Sequence, residues 1–126
     1  MELSIVTTLY KSDSYIEKFY KQACDVAQKI VKEFEIIMVN DGSPGRDLDI
    51  ALNLHKKDPR VKIIDLSRNF GHHRALMTGI SFASGNLVYI TDSDIEEPLT
   101  FLEECYQELT QQECDVVYGY QISRKG

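Results

Sequence analysis

The chain has 126 residues, of which 43% are hydrophobic and 27% are charged, and its formal net charge is −6. This length and composition predict one globular domain and exclude a low-complexity or disordered protein. The acidic balance argues against a nucleic-acid partner, because nucleic-acid binding requires a basic face. No apolar run approaches the ~20 residues of a membrane helix and no signal peptide is predicted, so we expect a cytoplasmic chain.

The first third of the sequence predicts a strand, a helix and a second strand. Residues 4–6 open a short β-branched strand, and apolar residues at helical spacing follow from position 14. Ser14 and Glu17 have the spacing of a capping box at the start of this helix. A buried strand at 35–39 then ends in residues 40–45, whose Asn, Asp, Gly, Ser and Pro indicate a tight turn.

The middle of the sequence predicts two more helices, one before and one after a third strand at 61–66. The second of these helices has Met77 on its apolar face and Gly85 as its C-cap. His72 and His73 are adjacent near its start, so they would diverge and cannot both face one metal ion. The favoured interpretation is that both are surface residues at the start of the helix, with His72 also a candidate neighbour of a phosphate group.

A fourth apolar strand at 87–91 ends in two aspartates that are separated by one residue. Residues two apart in an extended segment point to the same side, so Asp92 and Asp94 could share one divalent cation. Hard oxygen ligands suit Mg2+ or Mn2+, which usually bind together with the phosphates of a substrate. Asp and Ser are also ordinary turn residues after a strand, and that interpretation stays open for this motif alone.

A helix pattern from 97–98 and a fifth strand at 115–120 complete the sequence. The alternation of strands and helices predicts an α/β fold with a mostly parallel, Rossmann-like sheet and helices on both faces. The carboxyl ends of such strands lie along one edge of the sheet, where ligands bind. We therefore expect the polar residues after three strands to converge there: Thr8, Tyr10, Asn40, Asp41, Asp92 and Asp94.

These motifs, in this order, resemble family 2 glycosyltransferases, which have a GT-A type fold. The resemblance covers essentially the whole chain, from Tyr10 through 39–43 and 68–71 to 91–94. The strings at 68–71 and 94–98 resemble the branch of polyprenyl-phosphate and dolichol-phosphate sugar synthases. The resemblance implies one nucleotide-sugar-binding domain over residues 1–126, which we expect to stop before the acceptor half and its catalytic base.

The resemblance also implies which residues would contact the nucleotide. Thr8, Tyr10 and Asp41 would line the base and ribose pocket, with Asp41 accepting a hydrogen bond from uracil or guanine. Arg68 would lie near the nucleotide or its phosphates. Asp92 would lie near the ribose and the donor sugar.

The same resemblance places the catalytic and metal-binding residues after the fourth strand. Asp92 and Asp94 would be the catalytic pair, with Asp94 holding the cation that binds the diphosphate. Glu96 would help to hold this Mg2+ or Mn2+ ion. The ion would neutralise charge on the leaving nucleoside diphosphate.

The reaction implied is the attack of an acceptor oxygen on the anomeric carbon of a UDP- or GDP-sugar. The acceptor would be a lipid phosphate such as polyprenyl phosphate, or a saccharide, as in the synthesis of lipid-linked sugars or cell-envelope polysaccharide. A lipid acceptor would place the longer protein at the cytoplasmic face of a membrane, through segments beyond this chain.

Two other classes of function stay open. A non-catalytic module that binds a nucleotide or sugar is the first, because the acceptor half is expected to be missing. A receiver-like signalling domain also has strands that end in aspartate. It is disfavoured, because the first strand here ends in Thr7 and Thr8 instead of an acidic pair.

Overall fold

The computed structural model describes residues 1–91 and the backbone of residues 116–118. The elements in these residues are β1 (Leu3–Leu9), α1 (Ile16–Ile30), β2 (Phe34–Asn40), α2 (Asp47–Lys57), β3 (Val61–Asp65), α3 (His72–Phe82), β4 (Leu87–Ile90) and β5 (Val116–Tyr118). The strands form one sheet in the order β3-β2-β1-β4-β5, and every neighbouring pair is parallel. The predicted α/β fold with a parallel sheet is confirmed.

Helices cover both faces of this sheet. The core on the α1 and α2 face includes Phe19, Ile36 and Met38. The core on the α3 face includes Ile37 and Val39 from the same strand, β2. Since successive residues of a strand point to opposite faces, all seven residues of β2 are buried. This double cover leaves the strand ends as the part of the sheet that can meet a ligand.

The predicted capping box at the start of α1 is wrong. α1 begins at Ile16, and its N-cap residue Tyr15 makes no side-chain cap hydrogen bond. The turn before the helix is closed through the backbone, where Tyr15 N donates to the Ser12 carbonyl at 2.8 Å. Ser14 and Glu17 are both exposed, so their polar groups do not need a partner within the protein.

Two details of α3 also differ from the prediction. Met77 is 53% exposed, and the residues that α3 buries are Ala75 and Gly79. Ala83 is the C-cap in place of Gly85. A Cβ at Gly85 would lie 2.6 Å from the Ser4 backbone nitrogen, so glycine is needed there because β1 passes close by. Close approach to a distant strand, which sequence spacing does not show, decides this position.

No helix within residues 1–91 is long and apolar enough to cross a membrane.

A buried aspartate follows α2 at the end opposite the predicted site. Asp58 is 7% exposed, and it accepts hydrogen bonds from the Tyr20 hydroxyl at 2.6 Å and from Arg60 Nη2 at 2.8 Å. The hydrogen bonds from Arg60, together with that from Tyr20, outweigh burial and hold the pKa of Asp58 well below its usual range. Asp58 is therefore ionised in the folded protein at neutral pH.

Asp58 is expected to make folding sensitive to acid. Its folded pKa lies below the unfolded value of about 4, so its contribution is present above that pH and is lost as the pH falls through the folded pKa. Asp58→Asn should lower the free energy of unfolding at neutral pH by about 2 kcal/mol and should flatten the decline of stability toward acid. Urea denaturation at neutral and acidic pH measures both effects. A variant that keeps the full acid dependence would contradict this assignment.

Candidate functional site

The carboxyl ends of β1, β2 and β3 lie together at one edge of the sheet. The strand register places Leu9 beside Asn40 and Asn40 beside Asp65. In a doubly wound sheet this edge is where ligands bind. The register therefore brings three of the predicted site residues to the same edge: Thr8, Tyr10 and Asp41.

Asp41 joins the end of β2 to the loop that follows β3. It is 3% exposed, and its Oδ1 accepts a hydrogen bond from the Phe70 backbone nitrogen at 2.8 Å. Next to it, Gly42 has a φ of 65°, and a Cβ there would lie 2.3 Å from the Asn69 nitrogen. The two loops thus touch backbone to backbone. Asp41 thus has a structural role that the sequence did not predict, and its contact with the base stays a prediction.

Arg68 lies in the loop that Asp41 holds. Its side chain is exposed, and its guanidinium carbon lies 4.6 Å from the centre of the Phe70 ring. Stacking of this kind orients a guanidinium while its charge stays hydrated. Within the described part of the chain Arg68 forms no salt bridge. The position fits the predicted contact with the nucleotide or its phosphates.

Thr8 and His72 connect the end of β1 to the start of α3. Thr8 is 8% exposed, and its Oγ1 lies 3.0 Å from His72 Nδ1. His72 is the first residue of α3, and Gly71 before it has a φ of 99°. The amino terminus of a helix carries partial positive charge, so this corner suits an anionic group. The predicted location of His72 near a phosphate stays a prediction.

Asn40 and Asp65 form a polar pair where β2 meets β3. Asn40 Nδ2 donates to Asp65 Oδ1 at 3.0 Å. Asn40 is 5% exposed, and its Oδ1 is buried with no hydrogen-bond partner among the residues described. A buried acceptor of this kind is destabilising unless water or a ligand donates to it.

Asp47 was not among the predicted site residues, although it connects two loops at this edge. It is fully buried; its Oδ2 accepts from the Ser12 nitrogen and its Oδ1 from the Ser43 hydroxyl, each at 2.7 Å. Ser43 Oγ accepts in turn from the Lys11 nitrogen at 2.9 Å. An acidic residue in the first turn of a helix is common and by itself indicates only helix stabilisation. Its bond to a loop 35 residues away could not be predicted.

Three predicted residues lie outside the described part of the chain: Asp92, Asp94 and Glu96. Thr91 precedes them, is 3% exposed, and donates from its backbone nitrogen to the Val6 carbonyl at 3.1 Å. β4 therefore ends beside β1. Within the described residues, no group of three or more His, Cys, Asp and Glu side chains could hold a metal ion. The metal site thus stays a prediction.

Comparison with known proteins decides the family. The family model for "Glycosyl transferase family 2" matches residues 4–126. The chain belongs to this family. This membership confirms the resemblance that we inferred from the motifs at the strand ends.

The curated relatives of this family 2 chain are longer than it is. A Mycobacterium tuberculosis protein whose name describes it as a glycosyltransferase is 49% identical over 126 residues, which is all of this chain and 37% of that protein. A bactoprenol glucosyl transferase of Shigella phage SfV is 33% identical over 99 residues, which is 79% of this chain and 32% of that protein. The chain thus spans about a third of the length of such relatives.

Solved structures share the fold of this family 2 chain. S. aureus TarS 1-349 in complex with UDP-GlcNAc gives a TM-score of 0.70 at 22% identity, and the match covers 88% of this chain and 32% of the TarS 1-349 chain. The mannosyltransferase PcManGT of Pyrobaculum calidifontis, in complex with GDP-Man and Mn2+, gives a TM-score of 0.69 at 18% identity. This match covers 86% of this chain and 32% of the PcManGT chain. The predicted GT-A fold is confirmed.

Proposed function

We propose that this chain is the donor-binding part of a glycosyltransferase that moves a sugar from a nucleotide-diphosphate sugar to an acceptor. The observation that carries the proposal is the convergence of Thr8, Asp41 and the Arg68 loop at the carboxyl edge of the sheet in a family 2 chain. Residues 1–126 form a single nucleotide-sugar-binding domain in this proposal.

The base and ribose pocket lies, in this proposal, between the ends of β1 and β2. The Phe70 nitrogen donates to Asp41 Oδ1, so in this proposal the other oxygen, Oδ2, contacts the ligand. A carboxylate oxygen accepts hydrogen bonds, so Oδ2 suits the N–H of uracil or guanine. Thr8 and Tyr10 line the same pocket from β1 and the loop after it. The complexes of TarS with UDP-GlcNAc and of PcManGT with GDP-Man support this class of ligand.

The diphosphate lies toward Arg68 and the start of α3. Both the guanidinium and the helix terminus supply positive charge there. Asp94 and Glu96 hold a Mg2+ or Mn2+ ion in this proposal, with Asp92 near the ribose and the sugar. When bound, such an ion neutralises the charge that grows on the leaving diphosphate. The Mn2+ ion in the PcManGT complex supports this class of cofactor.

The acceptor in this proposal is a lipid phosphate or a saccharide. The bactoprenol glucosyl transferase of phage SfV, at 33% identity, supports a lipid-linked acceptor. A phosphate acceptor is already anionic, so attack on the anomeric carbon needs no general base. A lipid acceptor also implies action at the cytoplasmic face of a membrane.

Calorimetric titration with UDP and with GDP, each with and without Mn2+, tests the donor site. We expect one of the two nucleotides to bind, and to bind more tightly with the metal. Failure of both to bind would contradict the proposal. Binding without any sugar transfer by a protein that contains this chain would favour a non-catalytic nucleotide-binding module.

Asp41→Asn is expected to separate the two roles of this residue. The amide keeps an oxygen that can accept from the Phe70 nitrogen, but it replaces the second acceptor with a donor. Stability should therefore stay close to that of the unsubstituted chain, while the nucleotide binds about thirtyfold more weakly, or ~2 kcal/mol. Thermal unfolding and calorimetry measure the two quantities. Unchanged affinity would exclude Asp41 from the base pocket.

A further inference from the structure

Asp47 is a buried aspartate, and both of its carboxylate oxygens accept hydrogen bonds from donors outside its own helix. It is fully buried at the first residue of α2. One oxygen accepts from the Ser12 backbone nitrogen and the other from the Ser43 hydroxyl, each at 2.7 Å. A buried charge persists only where donors replace its lost hydration. The donors here come from the loops after β1 and β2, so folding of both loops is coupled to this one side chain.

The loop after β1 needs such support because its backbone is unusual. Lys11 has a φ of 54°, a left-handed conformation that residues with a side chain disfavour. Its nitrogen donates to Ser43 Oγ at 2.9 Å, and Ser43 in turn donates to Asp47. The residues before and after Lys11 are also bonded to each other: Ser12 Oγ accepts from Tyr10 N at 3.3 Å and donates to Tyr10 O at 3.2 Å. Asp47 thus holds this backbone directly at the Ser12 nitrogen and, through Ser43, at the Lys11 nitrogen.

Tyr10 is the residue whose placement depends on this arrangement. Its ring is exposed, with 44% of the residue accessible, and the Lys11 ammonium lies 5.5 Å from the ring centre. Because the ring is exposed, its direction depends on the backbone of the loop from which it projects. A ring presented in this way can stack on a base or a ribose without first being ordered.

We propose that Asp47 is a positioning residue of the nucleotide pocket, which acts through Ser12 and Ser43 on Tyr10 and does not touch the ligand. The inference rests on the proposed function, because it is there that Tyr10 lines the pocket. It assigns to Asp47 a role in affinity beyond stabilising the start of α2.

Asp47→Asn tests this inference with little change of shape. The amide nitrogen would face a donor, either the Ser12 N–H or the Ser43 O–H, so at least one of the two bonds is weakened. We expect the dissociation constant of the nucleotide, UDP or GDP, to be about tenfold higher in this variant. Calorimetry should be run well below the unfolding temperature of each protein, with circular dichroism to verify folding.

Asp58→Asn is the matched control, because Asp58 is also a buried, hydrogen-bonded aspartate and follows the other end of α2. It makes the same chemical change and lowers stability, but it should leave nucleotide affinity unchanged. Ser43→Ala should weaken binding as Asp47→Asn does, whereas Ser43→Thr keeps the hydroxyl and should retain affinity.

The possible outcomes are distinct. Weaker binding in Asp47→Asn with unchanged binding in Asp58→Asn supports the inference. Unchanged binding in a folded Asp47→Asn, or an equal loss in both variants, overturns it and leaves the proposed function intact. If the unsubstituted chain binds neither UDP nor GDP, the proposed function fails and this inference fails with it.

Discussion

Gly42→Ala is expected to destabilise the protein by about 3 kcal/mol. Gly42 has a φ of 65°, which an L side chain disfavours. The added Cβ would also lie 2.3 Å from the Asn69 nitrogen and 2.5 Å from the Arg68 carbonyl carbon. These are backbone atoms, so no rotamer change relieves the overlap. Urea denaturation measures the loss.

Gly71→Ala is a substitution in which only the backbone conformation opposes the added methyl group. Gly71 also has a positive φ, 99°, but a Cβ there meets no atom within 4 Å. It should therefore show only the backbone part. Gly71 has a ψ of 149°, a backbone region almost confined to glycine, so its backbone cost differs from that of Gly42. A loss below about 1 kcal/mol in Gly42→Ala would contradict the overlap between the added methyl group and the Arg68 loop. Nucleotide affinity should also fall in Gly42→Ala, because that change displaces the loop that carries Arg68.

Asp94→Asn is expected to lower sugar transfer by roughly a hundredfold to a thousandfold. If Asp94 holds the cation on the diphosphate, a neutral amide weakens metal binding and leaves the leaving group with uncompensated charge. Release of UDP or GDP from the nucleotide sugar, followed across Mn2+ concentrations by a protein that contains this chain, measures the loss. Part of the activity should return at high metal concentration.

Asp25→Asn is the control for the change of charge, because Asp25 is exposed on α1. It should leave transfer unchanged. Full turnover in Asp94→Asn would contradict the metal assignment, but it would not affect the base pocket, which Asp41→Asn tests separately. The two substitutions thus distinguish an error about the cation from an error about the nucleotide.

The contacts of Asp41 show why one residue can serve both folding and binding. Its Oδ1 holds the Phe70 nitrogen, and the loop held in this way carries Arg68. The proposed base contact and the proposed phosphate contact are therefore mechanically connected through one carboxylate. Loss of the side chain in Asp41→Ala would release the loop as well as the base, which is why the asparagine variant is the better test.

The order of elements and the parallel sheet could be predicted because they depend on local pattern. Apolar runs at 35–39 and 87–91 predict strands that are observed as Phe34–Asn40 and Leu87–Ile90. Their boundaries differ by a residue, since helix and strand ends depend on neighbouring elements. The capping box of Ser14 and Glu17 failed for a related reason. Its spacing was right, but the turn before α1 closes through backbone bonds instead.

The sequence by itself determined the fold class, the family and the edge at which Thr8, Tyr10 and Asp41 meet, because periodicity and strand-end chemistry are encoded over a few neighbouring residues. Only the tertiary structure decided how that edge is held together. The Asp41–Phe70, Asp47–Ser12 and Thr8–His72 contacts join residues that are 29, 35 and 64 positions apart. Such pairings depend on how strands and helices pack in three dimensions, and residue type and spacing do not specify them.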